Sequence, residues 1–317
     1  MIETKDYWII EDQFIFKPHF DSSINVYKNI IQQYNKLVFS DYDDVYICIE
    51  TNNKYDYEYS GNFIKSKFNH QVNLLLNLTH ITFGFNFNSQ VDLPLNLIYL
   101  SFGFYFNSQV DLPHNLTHLI FCGCFNQKVD LPPNLTYLSF ATGFNQKVEL
   151  PPNLVYINFG HYFNQEVILP SNLIHINFGD KFNQKVNLPP NLTHIHFGYY
   201  FNQKVDLPLG VIYLKINCNN KNLIDYLPDS IEELVLDEDF DLELNDLPQS
   251  IKKICFNCKF YNKELKCLPL NIEYIQLSIN YNKEIVKYPN KLKTIKCSNK
   301  YKFINLLKEK GYEVLTY

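Results

Sequence analysis

The sequence predicts a mainly β, parallel solenoid of about twelve coils of 19–21 residues, with non-repeat segments at both ends. First, a Phe-Asn pair recurs every nineteen residues from Phe68 to Phe201. Second, a Pro recurs at the same spacing from Pro94 to Pro208, and then at a spacing of about twenty to Pro289. Third, apolar residues keep fixed positions between these marks. A period of this length indicates stacked units rather than one globular core.

Each coil contains one clear strand signal. After Pro170, for example, apolar side chains fall three, six and eight residues later, at Leu173, Ile176 and Phe178. The last two alternate, so their side chains share one face of a strand. A small residue such as Gly179 follows and marks a sharp corner. A nineteen-residue coil has no room for a long helix, and we therefore expect two short parallel strands per coil.

The second strand is predicted from a valine column that we expect to return to the core. Its members are Val91, Val110, Val129, Val148, Val167, Val186 and Val205.

The period divides the chain into three parts. Residues 1–66 lack it and are expected to form an N-terminal cap or docking segment. Residues 67–298 form the solenoid, and residues 299–317 form a C-terminal cap. Such caps are expected because a solenoid exposes its core at each end. The elements predicted in these ends are a helix after Ser23, strands at 36–40 and 45–49, a helix at 302–310 and a strand at 313–316.

One outward-facing position, two residues after the first conserved Leu or Val, carries a ring in eight successive coils. These residues are His80, Tyr99, His118, Tyr137, Tyr156, His175, His194 and Tyr213. Exposed aromatic rows anchor protein partners and also stack on sugars or bases. The alternative is that neighbouring rings only stabilise the parallel sheet. These eight residues are the candidate partner-binding column.

Two groups of residues raise the question of a metal. His175, His194 and His196 lie close together on adjacent predicted strands, and three histidines are a known zinc ligand set. No carboxylate shares their outward positions. Cys255 and Cys258, with Cys267 and Cys297 further along the chain, form a second candidate. The register, however, places Cys255 on a strand rather than in a tight turn, and Cys297 in the inward Phe column. We therefore expect no metal and no cofactor.

Asparagine and charge also follow columns. The Asn rows Asn77 to Asn191 and Asn88 to Asn202 are interpreted as ladders that satisfy backbone groups of neighbouring coils. Residues 225–246 are strongly acidic and residues 252–310 are strongly basic. Their opposite charges are expected to pair between strands, and a docking patch for an acidic partner is the alternative.

The combination of Phe-Asn, Leu-Pro, Asn-Leu and Phe-Gly in register, over about residues 68–282, resembles the FNIP-repeat family. That resemblance implies a leucine-rich-repeat-like fold of a kind known from amoebae and from large DNA viruses that infect them. Several members carry an N-terminal F-box, which would imply a substrate receptor of a ubiquitin ligase. Here the first sixty residues lack the Leu-Pro-led, three-helix apolar pattern of that domain.

Composition and the lack of certain motifs argue against several classes of function. The net charge is -5 and no arginine is present, which argues against nucleic acid as a partner. The N-terminus lacks an apolar signal core and no long apolar run occurs, so we expect an intracellular, cytoplasmic protein without a membrane partner. No nucleophile with a base, paired acids or phosphate-binding Gly loop appears, so we expect no enzyme.

We therefore expect a non-catalytic protein-interaction scaffold, of which a ubiquitin-ligase substrate receptor is the more specific form that the resemblance implies. The sequence does not identify its partner or its oligomeric state. The alternative is a binder of carbohydrate or single-stranded nucleic acid that uses the same column of rings.

Overall fold

The computed structural model describes residues 1–43, 62–140 and 142–317. The chain divides into two compact units, Met1–Leu154 and Val155–Tyr317. Each unit is a run of parallel β-solenoid coils, which confirms the predicted fold class. The strand predicted at 45–49 lies outside the described residues. No helix in the described ranges has the length and apolar character needed to span a bilayer.

The first unit begins antiparallel and becomes parallel. Its strands are β1 (Ile2–Glu3), β2 (Tyr7–Ile10), β3 (Gln13–Phe16), β4 (Lys36–Phe39), β5 (Val72–Asn73), β6 (His80–Thr82), β7 (Val91–Asp92), β8 (Tyr99–Ser101), β9 (His118–Ile120) and β10 (Tyr137–Ser139). Strands β1 to β3 pair antiparallel. The ladder β3, β4, β6, β8, β9 and β10 is parallel. Because β4 places Lys36 beside His80, the non-repeat segment continues the register of the coils.

Every strand pair of the second unit is parallel. The strands are β11 (Tyr156–Asn158), β12 (His175–Asn177), β13 (His194–Phe197), β14 (Tyr213–Ile216), β15 (Glu233–Leu236), β16 (Lys253–Phe256), β17 (Tyr274–Gln276), β18 (Thr294–Cys297) and β19 (Glu313–Thr316). Each pairs with the next in sequence. The predicted strand at 313–316 is therefore present as β19, and it pairs with β18.

Helices are few and short. In the N-terminal segment a 3-10 turn at Ile24–Tyr27 leads into α1 (Lys28–Ile31), and the Ser23 side chain accepts a hydrogen bond from the backbone N–H of Asn25. The predicted C-terminal helix is α3 (Ile304–Glu309). An unpredicted helix, α2 (Lys221–Asp225), lies between two coils of the second unit, and Asn220 caps its start.

Phenylalanine stacks fill the interior of the coils. Each tight coil contributes two buried rings that stack on each other, such as Phe178 and Phe182, whose centroids lie 4.4 Å apart. Rings also stack between coils, as for Phe182 and Phe201 at 6.1 Å and an interplanar angle of 5°. Such pairs contribute about 0.5–1.5 kcal/mol beyond the burial of their apolar area. The strand residues Leu and Ile complete the core beside them.

The prediction of two strands per coil is wrong for most coils. In the described residues only β5 and β7 form a second ladder. The valine column from Val91 to Val205 is half-buried instead of lying in the core, whereas Val72 is buried. A proline in each coil removes a backbone donor from this side. Side chains of the Asn-Gln or Asn-Ser pair make the coil-to-coil hydrogen bonds in its place.

Glycine at the corner after the strand permits close packing of successive coils. An added Cβ at Gly179 would lie 1.9 Å from the carbonyl oxygen of Gly160. Later corners carry polar residues, beginning with Asn217. Its backbone N–H donates to the Phe197 carbonyl at 3.0 Å.

Candidate functional site

The predicted rings occupy the first position of successive strands in each unit. His80, Tyr99, His118 and Tyr137 begin β6, β8, β9 and β10, and Tyr156, His175, His194 and Tyr213 begin β11 to β14. All eight side chains are half-buried, whereas the next residue of each strand is buried. Register pairing places each ring beside the ring of its neighbouring strand within a unit. We refer to these eight residues as the aromatic column.

Neighbouring rings of the aromatic column are in contact. His175 and His194 stack with centroids 4.1 Å apart at an interplanar angle of 13°. His118 stacks on Tyr137 at 5.6 Å, and Tyr99 lies tilted against His118 at 6.3 Å. Cross-strand aromatic pairs stabilise a sheet by about 0.2–1 kcal/mol each. The column is therefore held in shape by its own stacking, and its outer ring edges form one surface in each unit.

Threonines orient three of the four histidines. The hydroxyl oxygens of Thr79, Thr117 and Thr193 lie 2.8 Å from Nδ1 of the histidine that follows each of them. Within the described residues, Nε2 of these three histidines has no hydrogen-bond partner. Nδ1 is thus held by the chain, and Nε2 is the ring nitrogen available to a ligand.

The aromatic column carries little charge at neutral pH. Burial lowers the pKa of His80, His118, His175 and His194, and the neighbouring His194 lowers the pKa of His175 further. A histidine with a lowered pKa is a neutral imidazole at pH 7. The column is therefore an uncharged strip of rings with hydrogen-bonding edges.

His196 lies on the same outward face, at the third position of β13. Lys215 lies beside it on the neighbouring strand β14, and the Lys215 ammonium forms an ion pair with Asp237 at 2.7 Å. Burial lowers the pKa of His196 to about 4, and Lys215 contributes to the shift. Both His196 Nε2 and the buried Asn217 Oδ1 lack a hydrogen-bond partner among the described residues. His196 is therefore neutral and desolvated, and its protonation in acid would destabilise the fold.

Acid should reduce the stability of the fold before carboxylates titrate. Unfolded histidines take up protons near pH 6.5, whereas His196 in the folded chain does so only near pH 4. The unfolded state binds more protons between these values, so the free energy of unfolding falls as the pH drops below about 6.5. Urea unfolding measured from pH 7 down to pH 4 tests this expectation.

The His196→Gln variant should show a shallower loss of stability over that range. The matched control is His114→Gln, which alters an exposed histidine and should retain the full pH dependence. Equal slopes for both variants would contradict the role assigned to His196.

Three cysteines of the second zinc candidate lie in the core of the second unit. Cys255 and Cys297 lie buried on β16 and β18, and Cys258 is fully buried beyond β16. Burial raises the pKa of Cys255 to about 11 and that of Cys258 to about 12, so both are protonated thiols at neutral pH. Over residues 1–43, 62–140 and 142–317, no group of three His, Cys, Asp or Glu side chains is arranged to hold a metal ion.

Both asparagine rows form the ladders that the sequence predicts. In one, the side-chain oxygen of each Asn accepts from the backbone N–H of the Asn one coil later, as Asn183 does from Asn202 at 2.8 Å. In the other, the side-chain amide donates to a backbone carbonyl of the preceding coil, as Asn191 does to Ser171 at 3.0 Å. These residues therefore serve the scaffold rather than a ligand.

Ion pairs join the later coils on the strand face. The predicted pairs are present at 2.7–2.9 Å between Lys252 and Glu232, Lys253 and Glu233, and Lys293 and Glu273. Exposed pairs of this kind contribute little to stability, because solvent screens them. They stabilise strand pairing and reduce the number of lysines available to a partner.

A second cluster, on the corner after the strands of the second unit, was not predicted. His161 Nδ1 lies 2.7 Å from an Asp180 carboxylate oxygen, and the Lys181 ammonium lies 3.9 Å from the centre of the Tyr200 ring. Tyr199 packs edge-on against Tyr200 at 4.9 Å. His161, Asp180 and Tyr199 occupy one repeat position, and Lys181 and Tyr200 occupy the next. Because the residue type at each position changes from coil to coil, a search for columns of similar residues does not find this cluster.

The fold and its repeated site define a leucine-rich-repeat-like protein. The FNIP Repeat family model matches residues 125–162, 144–181, 182–219 and 219–259. The resemblance to the FNIP-repeat family is thereby confirmed over residues 125–259.

One solved structure shows a similar fold, and a second is similar over part of its length. CroV588, a giant-virus protein described as a novel circular LRR protein, is similar at 23% identity and a TM-score of 0.54, over 95% of this chain and 65% of that one. The chain thus spans about two thirds of the length of CroV588. YopM from Yersinia enterocolitica matches at 18% identity and a TM-score of 0.32, over 73% of this chain and 76% of its own. No curated protein sequence matches the chain.

Proposed function

We propose that the protein is a non-catalytic interaction scaffold and that the aromatic column is the face that binds a protein partner. The observation that carries the proposal is the row of four neutral, half-buried rings at corresponding strand positions in each unit. Aromatic side chains supply large contact area at low entropic cost and are enriched at the centres of protein interfaces. Repeat folds commonly use such extended surfaces for binding.

The neighbouring outward residues suit the same role. Small polar side chains occupy the third position of five strands, with Thr82, Ser101 and Ser139 in the first unit and Asn158 and Asn177 in the second, whereas Ile120 is apolar there. These small polar side chains add hydrogen-bonding groups beside the rings, which is the usual mixture at a protein interface. A scaffold acting as a ubiquitin-ligase receptor would in addition need an adaptor-binding segment. That role rests on the family resemblance and is tested by whether ligase subunits depend on residues 1–66 for capture.

Loss of the rings should weaken partner binding without unfolding the chain. We expect a variant with Tyr156→Ser, His175→Ser and His194→Ser to lose about tenfold or more in partner affinity, because stacked anchors are removed together. Affinity capture from amoebal lysate, followed by mass spectrometry and titration of the recovered partner, measures this. Circular dichroism confirms that the variant is folded.

The matched control replaces three exposed tyrosines outside the aromatic column, Tyr162, Tyr200 and Tyr226, with serine. It should capture the same partner with unchanged affinity. Equal capture by both variants would reject the proposed face. Binding of an oligosaccharide or a single-stranded oligonucleotide that is lost only in the column variant would replace the protein partner with that class of ligand.

A further inference from the structure

Charge is strongly segregated along the second unit. Residues 225–246 contain ten acidic residues and no lysine, a formal charge of -10. Residues 252–317 contain fourteen lysines against five glutamates, a formal charge of +9. Successive strands lie about 5 Å apart, so one acidic coil is followed at once by several basic coils. The net charge of the whole chain conceals this separation.

Ion pairs with the acidic coil engage only the first of these lysines. Lys252, Lys253 and Lys263 pair with Glu232, Glu233 and Asp241. Beyond them, eight lysines have no ion-pair partner in the described part of the chain, namely Lys283, Lys287, Lys291, Lys296, Lys300, Lys302, Lys308 and Lys310. Positive charge that the chain does not neutralise is therefore concentrated on its last coils.

Part of this charge lines a concave site. A cavity of about 690 Å³ opens between the last coils, and its polar lining includes Asn280, Asn282, Asn299, Lys300 and Lys302. None of the side chains that line it is a carboxylate. An adjoining cavity shares Asn282 and Lys302, and its lining adds Lys283 together with the carboxylates of Glu264 and Glu284. We refer to the larger cavity and Lys283 as the basic hollow.

The asparagine ladder ends at the basic hollow. In the tight coils each Asn oxygen accepts from the next coil, but the coil after Asn282 presents Lys302 instead of an asparagine. The side-chain amides of Asn282 and Asn299 have no hydrogen-bond partner among the described residues. The basic hollow thus combines two exposed ammonium groups, Lys300 and Lys302, with amide donors that the scaffold does not use.

We propose that the basic hollow binds the acidic side chains of a polypeptide partner, at a surface separate from the aromatic column. Carboxylates accept hydrogen bonds from both ammonium and amide groups. The exposed side chains of Ile279 and Tyr317 at the rim offer apolar contact to neighbouring residues of such a peptide.

The surroundings favour an acidic peptide over a nucleic acid. A long polyanion that ran across the strands would reach the acidic coil at residues 225–246 within about 20 Å and be repelled there. A short acidic segment contacts only the basic coils. The absence of arginine also removes the side chain best suited to bind phosphate in a bidentate manner.

A short fluorescent peptide of glutamate and aspartate residues is the probe. Titrated with the full chain, it should bind at low salt and weaken as the salt rises toward 1 M, where the screening length falls to about 3 Å. We expect the double variant Lys300→Glu, Lys302→Glu to weaken binding about tenfold or more, because two attractive charges become repulsive. Fluorescence anisotropy measures each affinity.

The control is the double variant Lys185→Glu, Lys204→Glu, which makes the same charge change at exposed positions of the tight coils of the second unit. It should bind the peptide almost as the native chain does. Equal weakening in both variants, or no binding at low salt, would overturn the proposal, as would tighter binding of a single-stranded oligonucleotide of equal charge. The aromatic-column variant should bind normally, so failure of either proposed surface is distinguishable from failure of the other.

Discussion

Replacing Gly179 with alanine should destabilise the second unit by about 2 kcal/mol or more. The added Cβ would lie 1.9 Å from the Gly160 carbonyl oxygen and 3.2 Å from the His161 Cα, and both are backbone atoms that move only if the coil moves. Overpacking against a rigid neighbour costs about 1–3 kcal/mol. The backbone of Gly179 is not in the left-handed region, so the expected cost is purely steric. Chemical denaturation of the variant measures it.

Gly210 provides the matched control in the same unit. An added Cβ there would meet only the carbonyl oxygens of Leu192 and Pro190 at 3.8 Å, an ordinary contact. The Gly210→Ala variant should therefore be neutral or slightly more stable, because alanine restricts the unfolded chain. If both alanine variants unfold at the same denaturant concentration, close packing of the corners is not what stabilises the stack.

Replacing Phe182 with alanine should cost about 3–5 kcal/mol, the largest single effect we expect. Its side chain is fully buried and stacks on Phe178, Phe163 and Phe201. Removal of the ring leaves a cavity that extends across three coils, and each coil contacts only its neighbours. Hydrogen exchange should therefore accelerate first in β11 to β13 and less in β17 and β18.

Two variants calibrate that result. Phe182→Leu keeps most of the apolar volume and should cost less than the alanine change. Tyr162→Ala alters an exposed ring in the preceding coil and should have little effect on stability. An unfolding midpoint for Phe182→Ala that matches that of Tyr162→Ala would contradict the importance of the phenylalanine stack.

The sequence predicts the strand side of each coil well and the opposite side poorly. Leu173, Ile176 and Phe178 identify their strand because alternation and register agree. The valine column is equally regular in the sequence and was expected to lie in the core, yet Val186 is only half-buried. Its segment lacks a donor at each proline, and side-chain ladders replace the strand pairing. An apolar residue that recurs with the period shows that each coil repeats the same position. It does not show that the backbone at that position forms a hydrogen-bonded strand pair with the next coil.

The N-terminal segment illustrates a different limit. Lys36 joins the register of the aromatic column through β4, although no period connects it to the repeats. The hairpin of β2 and β3 was also missed, because its strands pair only with this segment and with each other. Contacts between a cap and a repeat depend on tertiary packing, which a repeat pattern does not contain.

For the candidate site, the positions were predictable but their chemistry was not. The alternation of the strand places His194 outward. The neutral state of its ring follows from burial, and the orientation of the ring follows from its hydrogen bond with Thr193; both are properties of the folded chain. The basic hollow likewise depends on which lysines remain unpaired after folding. The sequence therefore locates surfaces more reliably than it assigns their charge.

The asparagine ladder has a consequence for how such a chain changes in evolution. Each Asn of the tight coils, such as Asn183, bonds only to the coils directly before and after it. Unequal recombination that adds or deletes one whole nineteen-residue period therefore restores every ladder bond at the new junction. The product would gain or lose one strand and one ring of the binding face. A lineage of such genes is able to adjust the reach of its ligand surface in single steps while the hydrogen bonding of the fold is preserved.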